Sequence, residues 1–428
     1  MKRALRDGAA LLSGQLWAQV IAFVGYLLLT RLYSPEAFGI YAIFCSYLEI
    51  LIILSTCKYE MATVVAPTDE EAATVSRLAM RLNAGVSTLL LLIIGVLWWA
   101  DCLPGQTRTL GALALLIPPM VFFTGSGRVY SMLANRYRRF QLMASVEAGE
   151  ATTGLEAKLA ATLLRVRHAW ADVGGMPVGA VVGRMVSWIS YRALCRKHLS
   201  RVPIKGGQLR TVARTYRNFP LYSMPKEFVA GLSMNLPFLW VALYFDRAEV
   251  GLLSLALTFT LRPVGIVNTV AERMLYVRMA ERVRCRQHVW PMLRRFLLAL
   301  MSCALPLFVV GYFFAEPLFA FFFGGRWAGC APYVRAVLPW LYLLVGSGSL
   351  LFVSSVFATQ KQEFILFCMQ LLLRAAGLWV GVRAGSFLLA VQGFAVGSGL
   401  MAVVLGGWYV AQVLRYEHSL SSTDASTA

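Results

Sequence analysis

The sequence predicts an all-α, polytopic membrane protein of about 12 transmembrane helices, built as two related halves around a central site. Hydrophobic residues make up 58% of the 428 residues and charged residues only 14%. A soluble domain carries about 25% charged residues. The apolar residues recur in windows of about 20, the length of a helix that crosses a bilayer. Segments of the first half also recur in the second half.

The repeat has two parts. Ile117–Gly127 reads IPPMVFFTGSG and recurs as Leu338–Gly348, LPWLYLLVGSG. Tyr33–Ile40 reads YSPEAFGI and recurs as Phe245–Leu252, FDRAEVGL. Both pairs lie in or beside long apolar runs. Two related halves that each contribute one wall of a central site are typical of a transporter.

The predicted helices follow the apolar runs along the chain. The first six are at residues 9–32, 38–57, 79–100, 109–133, 141–165 and 174–195. The last six are at 219–245, 250–275, 296–316, 332–358, 364–383 and 385–414. The first run follows a basic start and lacks a small-residue cleavage site, so it is interpreted as an uncleaved span. We therefore expect an N-terminal lobe at 1–195, a basic linker at 196–218, a C-terminal lobe at 219–414 and a tail at 415–428.

The fifth predicted span is unusually polar. At 100° per residue, Glu147, Lys158 and Arg165 fall on one face. Glu150 lies close by and Glu156 lies opposite. A helix this polar cannot face lipid all round, so it either lines water or lies on the membrane surface. If this segment did not cross the membrane, every later loop would lie on the opposite side. The predicted topology therefore favours a span.

The net charge of +19 follows the predicted topology. The basic residues cluster in alternate loops, after the fourth, sixth and eighth spans and before the first, whereas the other loops carry about one each. This positive-inside pattern places both termini in the cytoplasm and argues against nucleic-acid binding. The basic loops can also contact anionic lipid head groups.

Several kinds of site are not visible in the sequence. Its eight cysteines form no CxxC pair, and its four histidines are spaced too widely for a ligand motif. There is no Walker-type phosphate loop and no Ser/His/Asp or Cys/His constellation. We therefore expect neither an enzyme nor a cofactor, other than H⁺ or Na⁺ as a coupling ion.

Leu28–Tyr41, LLTRLYSPEAFGIY, resembles the first hairpin of the bacterial polysaccharide flippases of the Wzx type, which belong to the MOP exporter superfamily. Other segments fit the same family at matching spacing over most of the chain. They are Lys58–Ala62, Ala134–Phe140, Asn218–Pro220, Asn235–Pro237, Gly251 and Phe321–Trp327. The polar fifth span departs from the family pattern.

The resemblance implies two six-helix lobes related by a pseudo-twofold axis along the membrane normal, with a central cavity that opens alternately to each side. It also implies a cargo, undecaprenyl-pyrophosphate-linked oligosaccharide, moved from the cytoplasmic to the periplasmic leaflet. Such a step supplies surface polysaccharide: O-antigen of lipopolysaccharide, capsule or exopolysaccharide. A polysaccharide polymerase and other export machinery would be partners.

Charges inside predicted spans need a reason, because they are costly in lipid. Outside the fifth span the surplus is cationic, which suits a pyrophosphate, because arginine binds such oxygens in a bidentate fork. The candidate substrate-binding residues are Arg128, Arg262, Arg374, Lys226 and Arg31. Each also has a structural interpretation. Lys226 can extend its charge to the membrane surface or pair with a neighbour, and Arg31 can anchor the end of the first helix at the membrane interface. Arg184 either neutralises a glutamate of the fifth span or faces the cavity.

Transport also needs an energy source. A carboxylate in the cavity can bind H⁺ or Na⁺ and couple the ion gradient to the movement of the lobes. The candidates are Glu49 and Glu227, with Glu150 of the fifth span behind them. A structural ion pair is the alternative interpretation of each.

The leading hypothesis is a flippase for lipid-linked oligosaccharide. A MATE-like, cation-coupled drug exporter is the second transporter hypothesis, and an acidic rather than cationic cavity would favour it. A membrane-embedded polysaccharide polymerase or ligase is a third, but such an enzyme is expected to carry a large periplasmic loop, and every predicted periplasmic loop is short.

Overall fold

The computed structural model describes residues 19–103, 106–163, 171–200 and 208–427, and no strand occurs among them. Up to the basic segment the helices are α1 Gln19–Leu32, α2 Pro35–Ser55, α3 Tyr59–Val65, α4 Asp69–Trp99, α5 Gln106–Leu110, α6 Ile117–Arg136, α7 Phe140–Leu163, α8 Ala171–Ser200 and α9 Gln208–Thr215. They continue with α10 Met224–Leu239, α11 Arg247–Arg284, α12 Trp290–Phe313, α13 Ala315–Phe323, α14 Ala331–Gly348, α15 Val353–Val356, α16 Gln360–Arg383 and α17 Phe387–Thr427.

Each of the twelve predicted spans overlaps a helix, which confirms the all-α, polytopic class. Residues 9–18 of the first span lie outside the described residues. Within the described part, eight helical stretches are long and apolar enough to cross a membrane, and α1 is a shorter apolar helix. The fifth predicted span is α7, whose 24 residues reach about 36 Å at 1.5 Å per residue, enough for a hydrocarbon core of about 30 Å.

The third span begins ten residues earlier than predicted, because an acidic segment forms the first turn of the helix instead of a loop. Thr68 Oγ1 accepts a hydrogen bond from the backbone N–H of Glu71 at 3.2 Å. Acidic side chains in the first turn of α4 also favour the helix dipole. Arg136 fixes this turn, since its Nε donates to Asp69 Oδ1 at 3.0 Å and its Nη1 donates to Ala66 O at 2.6 Å.

Proline divides the seventh predicted span into three pieces. A π-helical turn, Phe219–Ser223, leads into α10, and a 3₁₀ turn, Val241–Leu243, follows it. Pro237 lies inside α10. Because proline lacks a backbone N–H and clashes with the preceding turn, it interrupts the regular hydrogen-bond ladder.

The two copies of the repeated segment fold alike. The first copy forms the start of α6 after a 3₁₀ turn, Gly111–Leu116. The second forms the C-terminal part of α14, a helix that itself follows another 3₁₀ turn, Gly325–Cys330. The structure therefore supports an internal duplication.

The chain forms two compact units, Met1–Gly251 and Leu252–Ala428, called unit 1 and unit 2 below. The predicted division into lobes with a linker at 196–218 stays a prediction.

In unit 1, helices approach closely through glycine. The antiparallel helices α7 and α8 meet where Gly154 faces Gly183. Gly39 of α2 and Gly251 at the start of α11 pack backbone to backbone: a Cβ at Gly39 would overlap the carbonyl of Arg247, and a Cβ at Gly251 would overlap that of Pro35. Gly39 and Gly251 hold equivalent positions in the second part of the sequence repeat.

In unit 2, α17 packs on both α14 and α16. Gly377 of α16 lies against Gly393 of α17, which brings the two backbones together. One buried cluster includes Met279 of α11, Leu293 of α12, Val353 of α15 and Tyr409 of α17.

Candidate functional site

A polar stripe runs along α2, which is otherwise among the more deeply packed helices of unit 1. Tyr41, Cys45 and Glu49 follow one another at intervals of four residues and therefore share one face. Ser34 caps the start of α2, since its side chain accepts a hydrogen bond from the N–H of Ala37. Pro35 occupies the first turn, where proline costs no hydrogen bond. The cap and the proline stabilise the start of the helix that carries these three side chains.

The carboxylate of Glu49 is exposed, and a side chain of α10 binds one of its two oxygens. Its Oε2 accepts a hydrogen bond from Nδ2 of Asn235 at 2.9 Å. Asn235 is only 6% exposed, and its Nδ2 also donates to the carbonyl of Gly231 at 3.0 Å. The amide therefore has a fixed orientation, and it fixes one oxygen of the carboxylate.

Lys58 lies in the turn between α2 and α3 and, with Glu49 and Asn235, belongs to the group of polar side chains called the cluster below. Its side chain is 6% exposed, and its Nζ forms an ion pair with Glu227 in the first turn of α10. A second carboxylate, that of Glu60, lies 3.8 Å from the same Nζ and is 3% exposed. The backbone of Lys58 is left-handed, with φ of 60°, and Cys57 before it has φ of 49°. Such conformations are unfavourable for residues other than glycine, so packing must hold this turn.

Arg128 of α6 belongs to the same group. It is partly buried and interacts electrostatically with Glu60, Glu227 and Glu49. Together with Lys58, the cluster holds two cations and three carboxylates. The predicted residues Glu49, Glu227 and Arg128 thus lie together in unit 1, and their combined charge is not positive.

Two charged residues of α7, Glu150 and Lys158, have partners within unit 1. Arg184 Nη1 of α8 lies 2.9 Å from Oε1 and 3.1 Å from Oε2 of Glu150. Lys158 Nζ lies 3.3 Å from the hydroxyl of Tyr41 and 4.9 Å from the centre of its ring. The backbone carbonyl of Lys158 accepts from the hydroxyl of Tyr33 at 2.9 Å. Lys158 of the fifth span therefore contacts α2 and Glu150 contacts α8, where Arg184 pairs with a glutamate, as one of its two interpretations expected; Arg165 lies outside the described residues.

Arg374 of α16 is buried in unit 2, at 5% exposure. Its Nε donates to the Oγ of Ser398 on α17 at 2.7 Å. The guanidinium carbon lies 5.3 Å from the ring centre of Trp340 and 4.9 Å from that of Phe394. These contacts link α14, α16 and α17, and cation–π attraction is strongest where the cation is desolvated. A role in substrate binding stays a prediction.

The other predicted substrate residues lie elsewhere. Arg262 is exposed on α11 in unit 2, one residue before Pro263. Lys226 is partly buried at the start of α10, next to Glu227. Arg31 is exposed at the end of α1. Their roles also stay predictions.

Three residues of the cluster, Lys58, Glu60 and Asn235, were not among the predicted site residues. All three belong to segments that match the family pattern, and this was the only signal in the sequence that could have singled them out. Among the described residues, no group of three or more His, Cys, Asp or Glu side chains could hold a metal ion.

Known structures share this fold. An inward-facing multidrug resistance MATE family transporter of the MOP superfamily aligns with a TM-score of 0.67 at 12% identity, covering 94% of this chain and 96% of that one. The lipid II flippase MurJ in an inward closed conformation aligns with a TM-score of 0.72 at 13% identity, covering 97% and 92%. A MOP superfamily transporter from Pyrococcus furiosus, with a binding pocket of reverse polarity, aligns with a TM-score of 0.64 at 12% identity, covering 96% of both chains.

No curated protein matches the sequence. The family described as polysaccharide biosynthesis protein matches residues 28–332, which is more than two thirds of the chain. This match shows that the chain belongs to the polysaccharide biosynthesis protein family, and its fold is one that solved transporters of the MOP superfamily share.

Proposed function

We propose that this protein is a flippase that moves undecaprenyl-pyrophosphate-linked oligosaccharide from the cytoplasmic to the periplasmic leaflet of the bacterial inner membrane. The product feeds the synthesis of a surface polysaccharide. The protein acts by alternating access, driven by an H⁺ or Na⁺ gradient, and catalyses no covalent chemistry.

The observation that carries this proposal is the match to a polysaccharide biosynthesis family on a chain with a transporter fold. One solved structure of this fold is a flippase for lipid II, which is a lipid-linked sugar, so the fold suits cargo of this class. Lys58, in the turn between α2 and α3, and Arg128 of α6 are cations that can bind a phosphate.

The carboxylates of the same cluster support ion coupling. Glu49 keeps an exposed carboxylate with one oxygen held by Asn235, which leaves the other oxygen for a proton or a cation. Glu227 is 41% exposed and forms an ion pair that a change of protonation would break. Either change would alter the contacts between α2 and α10.

A cation-coupled drug exporter is the second candidate function. Two observations favour it: MATE transporters share the fold, and three carboxylates, those of Glu49, Glu60 and Glu227, lie in the cluster of unit 1. An acidic site attracts organic cations.

Deletion of the gene separates the two functions. A flippase deletion should accumulate lipid-linked oligosaccharide in the cytoplasmic leaflet and lose surface polysaccharide, with unchanged sensitivity to cationic drugs. Drug hypersensitivity with normal surface polysaccharide would instead establish the exporter. Restoring the wild-type gene on a plasmid is the control.

A further inference from the structure

The two carboxylates that face Lys58 differ in their surroundings. Glu60 is 3% exposed, so its position is fixed by packing, and it lies 3.8 Å from Lys58 Nζ. Glu227 is 41% exposed and makes the closer contact with the same Nζ. The closer partner, Glu227, is therefore the one that water reaches, and the more distant partner, Glu60, is buried in the protein.

This arrangement makes the Lys58–Glu227 contact exchangeable. A buried ammonium cannot be left without a partner, because the loss of one member of a buried ion pair costs several kcal/mol. Lys58 keeps Glu60 in any case, and an incoming anion can take the place of Glu227. The released carboxylate of Glu227 can regain hydration at little cost, since it is already partly exposed.

The local backbone supports such a role for Lys58. Consecutive left-handed residues, Cys57 and Lys58, turn the chain sharply between α2 and α3 and direct the lysine inward. A backbone conformation of this kind persists where the surrounding structure holds it, and often at functional sites. Glu227 follows the π-helical turn at Phe219–Ser223, another irregularity that is common near functional sites.

Resting on the proposed function, we propose that Lys58 binds a phosphate of the lipid-linked substrate and that Glu227 is its internal competitor, displaced when the substrate binds. The pyrophosphate supplies the negative charge that Glu227 supplies in the empty protein. Arg128, which interacts electrostatically with both Glu60 and Glu227, attracts the same group. Departure of Glu227 removes one link between the α2–α3 turn and α10, so binding of the cargo loosens these elements.

Binding of undecaprenyl pyrophosphate to the full-length protein in nanodiscs tests this proposal, with undecaprenol as the probe that lacks phosphate. Glu227→Gln should bind the pyrophosphate lipid about fivefold more tightly than the wild type, the factor that corresponds to ~1 kcal/mol. Lys58→Gln should bind it at least fivefold more weakly, and Lys58→Arg should stay close to the wild type. In the double variant Lys58→Gln/Glu227→Gln, the gain from Glu227→Gln should disappear.

Glu70→Gln is the matched control, because it removes one negative charge from an exposed position at the start of α4 in the same unit. It should leave affinity unchanged. If Glu227→Gln binds no more tightly than the wild type, or if Glu70→Gln tightens binding equally, the competitor role is wrong. The comparison of Glu227→Gln with the wild type decides this even if Lys58→Gln does not fold.

Failure of the proposed function has a different signature. A wild-type protein that binds undecaprenyl pyrophosphate no better than undecaprenol does not recognise the phosphate, and then the flippase proposal itself fails. A wild type that prefers the pyrophosphate lipid, together with an unchanged Glu227→Gln, removes only the competitor.

Discussion

Glu49 and Asn235 join α2 to α10 through a hydrogen bond of 2.9 Å from Nδ2 to Oε2. A buried amide thus holds an exposed carboxylate between two helices of unit 1. The amide can donate to the carboxylate whether or not a cation occupies the other oxygen. This geometry makes Glu49 the first residue to examine for coupling.

Glu49→Gln should remove or strongly reduce the dependence of transport on external pH and Na⁺. The glutamine side chain can keep contact with Asn235, but it cannot gain or lose a proton or neutralise a cation. Transport in vesicles under imposed pH and Na⁺ gradients measures the effect, with Glu70→Gln as the control. If Glu49→Gln and Glu227→Gln each leave transport as pH-dependent as in the wild type, neither residue is the coupling group.

Gly39→Ala and Gly251→Ala should both destabilise the protein, by about 2–4 kcal/mol, since each new Cβ would overlap a backbone carbonyl across the α2–α11 contact. Gly265→Ala in the same helix α11 is the control, because a Cβ there meets nothing within 4 Å. The control should be neutral or slightly stabilising. Thermal unfolding in detergent measures all three, and equal behaviour of the three would disprove the close contact.

Arg374→Ala should lower stability, by about 2–4 kcal/mol, because it removes a buried charge-assisted hydrogen bond to Ser398 and the contacts with Trp340 and Phe394. Arg262→Ala, at an exposed position, should instead reduce export without lowering the unfolding temperature. Arg262→Lys should restore export only in part, because the bidentate fork is lost. Unchanged unfolding of Arg374→Ala would contradict its packing role, and normal export in Arg262→Ala would remove that residue from the substrate path.

The pair of Arg184 and Glu150 should show coupling of about 1 kcal/mol in a double-mutant cycle, since both oxygens of the carboxylate lie near one Nη1 and the pair is only partly exposed. The variants are Glu150→Gln, Arg184→Gln and their combination, and thermal unfolding is the measurement. Strictly additive losses would show that α7 and α8 gain nothing from the pair.

The sequence predicted the helical content well, because most of the spans are long apolar runs that can satisfy their backbone hydrogen bonds in a membrane only within a helix. Helix ends were less predictable. The acidic residues Asp69, Glu70 and Glu71 resemble a loop, yet they form the first turn of α4, which Thr68 caps. Proline divides the seventh span at places that hydropathy does not show.

The candidate site was predicted only in part. Glu49, Glu227 and Arg128 stand out as charges within apolar runs, and the structure brings them together. Lys58 follows a span end and looks like an ordinary cytoplasmic lysine, because its left-handed backbone and its burial cannot be inferred from the sequence. Arg374 shows the opposite case: a charge in mid-helix suits a cavity, and only the positions of Trp340 and Ser398 reveal its packing.

Transport by the purified protein in vesicles tests the central claim most directly. Vesicles would contain fluorescent undecaprenyl-pyrophosphate oligosaccharide in both leaflets, and a membrane-impermeant quencher would report the share that reaches the outside. The flippase account predicts that the wild type makes the inner-leaflet share accessible, whereas protein-free vesicles and vesicles with Lys58→Gln do not. Wild-type protein that is correctly inserted, yet leaves the inner-leaflet share protected under every imposed ion gradient, would contradict it.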